Sequence, residues 1–332
     1  MIRGRSSDGP CCIHVGLPKT GTTMLQVHLF PCHSQLEYLG TFKRNRTKRE
    51  YQKVRDEAVH TILAELVHQG KHRPDLTRCR RLFGESIAPT REAGRVPLWS
   101  WESLALSAAD VRRLRAENLR AVFGDCKILI TLRHPLRLVE SVYFQYLRAA
   151  HAGGNMHRGK GPRYLPIDRW LNGSWRKPGR SPRAHLNYAN TVEIFADVFG
   201  AEAVGIFLFE QLVEDNAAFL DALCRFIDVD SEEGIALAAG QRGADRWTTT
   251  QMEKLQQIHG SLLQSMAFRF GSKWRRREML GLNRNGTSPE GERARAPIPD
   301  AWQERILAET REGNRRLVEK WDLPLERYGY PL

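Results

Sequence analysis

The sequence predicts an α/β fold: three layers, with a largely parallel central sheet of four or five strands and helices on both faces. Two observations carry that expectation. Short apolar runs alternate with longer amphipathic segments along most of the chain, as in a parallel sheet covered on both sides. The first of these runs, Cys11 to Val15, passes through a turn containing Gly16 and Pro18 straight into a helical segment, Thr22 to Phe30, that stops at Pro31.

The remaining elements follow from periodicity and punctuation. Lys43 to His72 is charged, with Val54, Ala58, Ile62 and Leu66 at helical spacing, and reads as an exposed amphipathic helix. Arg80 to Phe83, leading into Gly84 and Glu85, reads as a second core strand. Asp110 suits the N-cap of a helix through Val122. Lys127 to Leu132 (KILITL) is the clearest strand, and Pro135 starts the helix after it, with Leu138, Val139, Val142 and Leu147 on its apolar side. Gly153 to Arg183, rich in Gly, Pro and Arg, reads as a long irregular loop. Asn190 to Phe199 is a helix, Ala203 to Phe209 a strand and Asn216 to Ile227 a helix. Gln251 to Phe268 and Ala301 to Trp321 are helical, separated by a polar, flexible segment, Leu282 to Pro299.

The totals narrow the classes. With 332 residues, 41% of them hydrophobic, the chain buries a sizeable core, and wholesale disorder is excluded. A formal net charge of +13 implies an anionic partner, without choosing among nucleotide, nucleic acid, membrane surface and acidic polysaccharide. The six cysteines form no C-x-x-C pair and several sit in apolar runs, which suits free thiols in a reducing, cytoplasmic compartment. The N-terminus lacks the apolar run of a signal peptide, and no run of roughly 18 apolar residues predicts a membrane span.

The most informative segment is His14-Val15-Gly16-Leu17-Pro18-Lys19-Thr20-Gly21-Thr22-Thr23. A loop between a strand and a helix offers backbone N–H groups and the positive end of the helix to an anion. Gly16 and Gly21 have the spacing of the two glycines of G-x-x-x-x-G-K-[ST], yet Thr22 stands where that motif has lysine, and the lysine is displaced to position 19. An ordinary ATPase or GTPase loop is thereby disfavoured.

The run P-K-T-G-T-T resembles the 5′-phosphosulfate loop of sulfotransferases that use 3′-phosphoadenosine 5′-phosphosulfate (PAPS). Lys19, Thr20, Gly21, Thr22 and Thr23 match it one for one. The resemblance implies that Lys19 contacts the bridging oxygen of the donor and that Thr22 and Thr23 bind phosphate oxygens. A second segment agrees. Arg133 closes a strand and Ser141 follows on the next helix, similar to the 3′-phosphate motif of the same family. A guanidinium fork with a neutral hydroxyl beside it suits phosphate oxygens. Tyr188 to Val229 resembles the family's helix–strand–helix, and Gly240 to Trp247 (GQRGADRW) is a looser match to its late basic loop, with Arg242 as the contact. The implied fold is a P-loop-type sandwich in one domain, 1–332, with a nucleotide-binding core over 11–230 and C-terminal helices and a flexible loop over 231–332.

The resemblance also implies the chemistry: transfer of the sulfuryl group to an acceptor hydroxyl or amine, without a metal, and with a general base for a hydroxyl acceptor. Glycan-acting members place a glutamate at the end of the second core strand, where Glu85 is expected; a solvated carboxylate capping the next helix is the other reading. His14, His28, His33 and His134 are weaker candidates. Pro97-Leu98-Trp99-Ser100-Trp101 suits either a sugar platform or the hydrophobic anchoring of a loop. Arg91, Arg95 and the basic residues of the long loop suit an acidic glycan or a solvated face. A glycan hydroxyl is therefore the expected acceptor, as in bacterial-type carbohydrate sulfotransferases. Two alternatives compete with this reading. A P-loop kinase or other nucleotide-binding protein would need a Walker lysine and an acidic strand end. A basic nucleic-acid-binding protein is suggested by Trp274-Arg275-Arg276-Arg277, but no nucleic-acid signature accompanies it.

Overall fold

The computed structural model describes residues 11–40, 56–67, 73–151, 164–177, 181–241, 247–281 and 291–332. Its strands are β1 (Cys11–His14), β2 (Leu36–Gly40), β3 (Val96–Ser100), β4 (Cys126–Leu132) and β5 (Val204–Leu208). The helices are α1 (Thr22–Met24), which continues into a π-helical turn (Leu25–Leu29), α2 (Glu57–Val67), α3 (Leu76–Glu92), α4 (Ala109–Phe123), α5 (Pro135–His151), α6 (Ile167–Ser174), α7 (Tyr188–Phe199), α8 (Phe209–Glu214), α9 (Asn216–Ile227), α10 (Ser231–Ala238), α11 (Thr249–Gly260), α12 (Leu262–Phe270), α13 (Lys273–Met279) and α14 (Asp300–Trp321). Contacts divide the chain into two compact units, one of residues 1–134, 184–243 and 311–332, the other of residues 135–183 and 244–310.

The first unit holds the sheet. All of its pairings are parallel, in the order β2-β3-β1-β4-β5, so β1 is central and every strand points its carboxyl end to the same edge. Because side chains alternate across a strand, the sheet has two apolar faces. On one, Cys12, Leu98, Leu129 and Phe207 pack against Leu25 and Leu29 of the π turn and Leu220, Leu223 and Ile227 of α9. On the other, Trp99 meets Phe123 of α4, which lies 4.1 Å from Phe83 of α3 between ring centres. The chain forms the expected parallel sandwich, with five strands where four or five were predicted.

The assignment of Arg80 to Phe83 as a strand is corrected. These residues lie inside α3, whose buried positions Cys79, Phe83, Ile87 and Thr90 recur every three to four residues, a helical period that four residues read alone conceal. The second core strand is instead β3, VPLWS, buried throughout. Its proline had disguised it. Pro97 precedes the ladder to β1, which begins at the Cys12–Leu98 pair, so its missing N–H removes no bond from that ladder. Edge strand β2 was not foreseen. The helix expected over Lys43–His72 is described only as α2, and within the long loop Ile167–Ser174 is helical. Ala108, not Asp110, is the N-cap of α4.

The second unit is helical. Tyr143 of α5 packs on Trp170 of α6 at 5.3 Å, with its hydroxyl donating to the Leu165 carbonyl, and Trp175 packs on Trp302 at 5.2 Å. Glu140, buried, accepts from the Ala296 amide at 3.0 Å. Among the described residues, no helix is long and apolar enough to cross a membrane.

Candidate functional site

Loops at the carboxyl edge of a parallel sheet, beside a central strand whose neighbours are reached in opposite directions along the chain, are where such folds bind ligands. In the first unit this edge carries the segment after β1. Val15 and Gly16 donate their amides to the Leu129 carbonyl at 3.0 and 3.4 Å, so the loop leaves β1 still tied to β4. Gly16 and Gly21 take positive φ values, +49° and +90°. A methyl group at 21 would lie 2.7 Å from Leu212, and one at 16 would lie 3.0 Å from both His14 and Thr22, so a side chain at either position would collide with its packed neighbours. Lys19 also has positive φ, +72°, a conformation that costs a residue with a Cβ about 1 kcal/mol or more.

That conformation is held from β4. Arg133, almost fully buried, donates from Nη1 to the Lys19 carbonyl at 2.9 Å, and its guanidinium sits 4.4 Å from the centre of the Phe209 ring. Thr20 is pinned in turn: its hydroxyl donates to the Leu17 carbonyl at 2.5 Å and lies 2.5 Å from that of Thr131. The backbone around Arg133 is fixed as well. The Tyr188 hydroxyl donates to the Arg133 carbonyl at 2.5 Å, and the His134 amide donates to Glu210 at 3.0 Å. Glu210 also accepts from Tyr330 at 2.9 Å, while His134 Nε2 donates to the Gly329 carbonyl at 2.9 Å. The tail RYGYPL thus braces the end of β4, a role no periodicity in the sequence signals. Lys19, Thr20 and Arg133 are brought together, with Gly21, Thr22 and Thr23 continuing the same loop into α1. Ser141 lies in the second unit, half-buried on α5. Arg242 lies outside the described residues.

On the β3 side the surroundings differ in kind. His14, fully buried, meets the Ser100 hydroxyl through Nδ1 at 2.8 Å, and Gln26 donates to the same hydroxyl at 2.8 Å. Burial pushes the His14 imidazole down to about 3, which keeps it neutral and disqualifies it as a base at neutral pH. The Tyr38 phenol is pushed up by burial and by the charge of nearby Glu102, so it stays protonated. Glu102, in the one-turn helix Glu102–Leu104 just past β3, accepts a hydrogen bond from the Thr22 hydroxyl.

Glu85 is the clearest displacement from expectation. It does not end a strand; it lies on the exposed side of α3, paired with Arg81 one turn earlier at 2.8 Å. The carboxylate at the end of the second core strand is Glu102, which sequence reasoning missed because the strand itself was misplaced. Reading V-P-L-W-S as a strand would have found it. His33 is buried and bonded to the Asp230 carbonyl at 2.9 Å. Trp99 is fully buried and so cannot be a platform, whereas Trp101 is half-buried with Arg115 over its ring at 5.4 Å. Arg95 pairs with Glu37 at 2.5 Å and Arg91 donates to Cys11 Sγ at 3.7 Å, both near the opposite, amino-terminal edge of the sheet.

A model of the Sulfotransferase family matches residues 10–233. Among solved structures, the chain is similar to a sulfotransferase from Alicyclobacillus acidocaldarius (18% identity, 80% of this chain and 98% of that one, TM-score 0.45). It is also similar to a sulfotransferase domain from the curacin biosynthetic pathway (16%, 70% and 80%, TM-score 0.35). A third is the sulfotransferase domain of the Synechococcus PCC 7002 olefin synthase (15%, 85% and 99%, TM-score 0.40). No curated protein matches the chain.

Proposed function

Because the chain belongs to the sulfotransferase family, we propose that it transfers the sulfuryl group of PAPS to an acceptor hydroxyl, with a glycan as the acceptor class. The observation that carries the reading is the Lys19 turn: a left-handed lysine, flanked by two positive-φ glycines with no room for a side chain and clamped by an arginine from the neighbouring strand. A loop of that form suits the phosphate and sulfate oxygens of the donor. Lys19, Thr20, Gly21, Thr22 and Thr23 take the 5′ end of the donor, and Arg133 takes its 3′-phosphate. Ser141 and Arg242 share the donor by resemblance to the family alone.

The reaction needs little covalent participation from the protein. The acceptor oxygen attacks sulfur in line with the bond to the bridging phosphate oxygen; the new O–S bond forms as that bond breaks, and the electron pair leaves with 3′-phosphoadenosine 5′-phosphate. Lys19 and the loop amides stabilise charge growing on the leaving phosphate. The acceptor proton goes to Glu102, which we assign as base in place of Glu85. Its hydrogen bond from Thr22 supports this, since Thr22 also belongs to the phosphate loop and so relates the base to the donor. Six free thiols are compatible with a reducing, cytoplasmic setting. Incubation with PAPS and desulfated glycans, followed by mass spectrometry, is expected to yield sulfated product and 3′-phosphoadenosine 5′-phosphate in equal amounts. Release of neither product would reject the activity, and nucleotide release without a sulfated glycan would reject the glycan acceptor.

A further inference from the structure

Helix α12 of the second unit presents its apolar side outward. At 100° per residue, Leu262, Leu263, Met266 and Phe270 fall within an arc of about 100°. These four and Trp274, at the start of α13, are between 58% and 87% exposed. The opposite side carries Phe268, fully buried and edge-on to His259 at 5.9 Å, so the helix is anchored through that face while the stripe is mostly exposed. Large apolar side chains are normally exposed singly, and a contiguous row of them marks an interaction surface.

The charge beside the stripe indicates what covers it. Residues 262–279 contain five basic residues, of which Arg276 is buried, and one acidic residue, Glu278. Arg275 is exposed, and Arg277 lies 5.9 Å from the Trp274 ring. Apolar side chains with Trp and Phe, bordered by cations that outnumber the carboxylate of Glu278, form the pattern of a helix lying in the plane of an anionic bilayer surface, its apolar side at the acyl boundary and its cations on headgroup phosphates. A nucleic acid would use the arginines but leave the leucines wet. A protein partner would need acidic groups around its own apolar patch. We propose that α12 and the start of α13 form a peripheral docking surface for membranes rich in anionic lipid. The proposal does not depend on the donor assignment.

The test is co-sedimentation of the whole protein with vesicles of phosphatidylcholine alone and of phosphatidylcholine mixed with phosphatidylglycerol. Binding to the mixed vesicles only is expected. It should fall about tenfold or more in Leu262→Ser/Leu263→Ser/Phe270→Ser and about tenfold in Arg275→Glu. Thermal unfolding and titration with 3′-phosphoadenosine 5′-phosphate should be unchanged in both variants, because these side chains are exposed. Sedimentation unaffected by the triple serine variant would overturn the proposal, as would failure to bind either vesicle. A concentration-dependent dimer that the serine variant abolishes, without vesicle binding, would make the stripe a self-association face. RNA binding lost only in Arg275→Glu, without vesicle binding, would make the arginines a nucleic-acid contact. Either finding would replace the membrane.

Discussion

The two flanks of the loop after β1 are built from opposite materials. Between β1 and β4 the loop is held by directed bonds to backbone carbonyls and by a guanidinium: Val15 and Gly16 on Leu129, Arg133 on Lys19, Thr20 against Thr131. Between β1 and β3 there is a neutral, dry cluster of His14, Ser100 and Gln26, ending at a carboxylate bonded to Thr22. In the proposed reaction one flank supplies the positive charge for the donor, and the other is uncharged until its rim, where Glu102 is the proposed proton acceptor. A transfer reaction needs both, and Thr22, bonded to Glu102, is where the two flanks meet. The asymmetry predicts that damage to each flank has its own signature.

The largest effect should come from the β3 flank. Glu102→Gln keeps an acceptor for Thr22 but removes the basic oxygen, so kcat should fall about 100-fold to 10,000-fold while affinity for 3′-phosphoadenosine 5′-phosphate stays within about twofold. Steady-state kinetics with the donor varied would show the split; an equal loss in both constants would mean that Glu102 serves only to hold the loop. On the β4 flank, Arg133→Ala removes a charged donor and releases the strained Lys19 carbonyl, so affinity for the nucleotide should drop about 100-fold. Arg133→Lys should recover only part of it, because an ammonium cannot reproduce the fork.

A smaller effect separates the dry cluster from the rim. The folded protein resists protonating His14, whereas the unfolded chain takes a proton below about 6.5. The His14 contribution should therefore be constant above that pH and be lost as pH falls from about 6.5 toward 3. His14→Asn should flatten this part of the curve in denaturant titrations at several pH values; an unchanged slope would assign acid sensitivity to other groups. The smallest effect belongs to Glu85→Ala, which breaks an exposed pair with Arg81 and should change stability by less than about 0.5 kcal/mol and leave kcat unaltered. A large loss of kcat there would return the base to α3.

The same asymmetry decided what was legible in the sequence. The β4 flank is made of contiguous motifs, P-K-T-G-T-T and the Arg at the end of KILITL, so its place between a strand and a helix could be read without a structure, although the positive φ of Lys19 could not. The β3 flank depends on which of two short segments enters the sheet. R-R-L-F joined a helix because Cys79, Phe83 and Ile87 share a face, and V-P-L-W-S became the strand despite its proline. Glu102 followed the strand that formed. Tyr330 and Glu210, which brace β4 from nearly opposite parts of the chain, are tertiary partners whose pairing no local pattern records.

The central claim is that one flank holds the donor and the other does chemistry on the acceptor. Calorimetric titration of the wild type, Arg133→Ala and Glu102→Gln with 3′-phosphoadenosine 5′-phosphate, with ADP as the control lacking the 3′-phosphate, tests it most directly. The predicted result is binding that requires the 3′-phosphate, is lost in Arg133→Ala and is kept in Glu102→Gln. Binding indifferent to the 3′-phosphate, or lost equally in both variants, would contradict it.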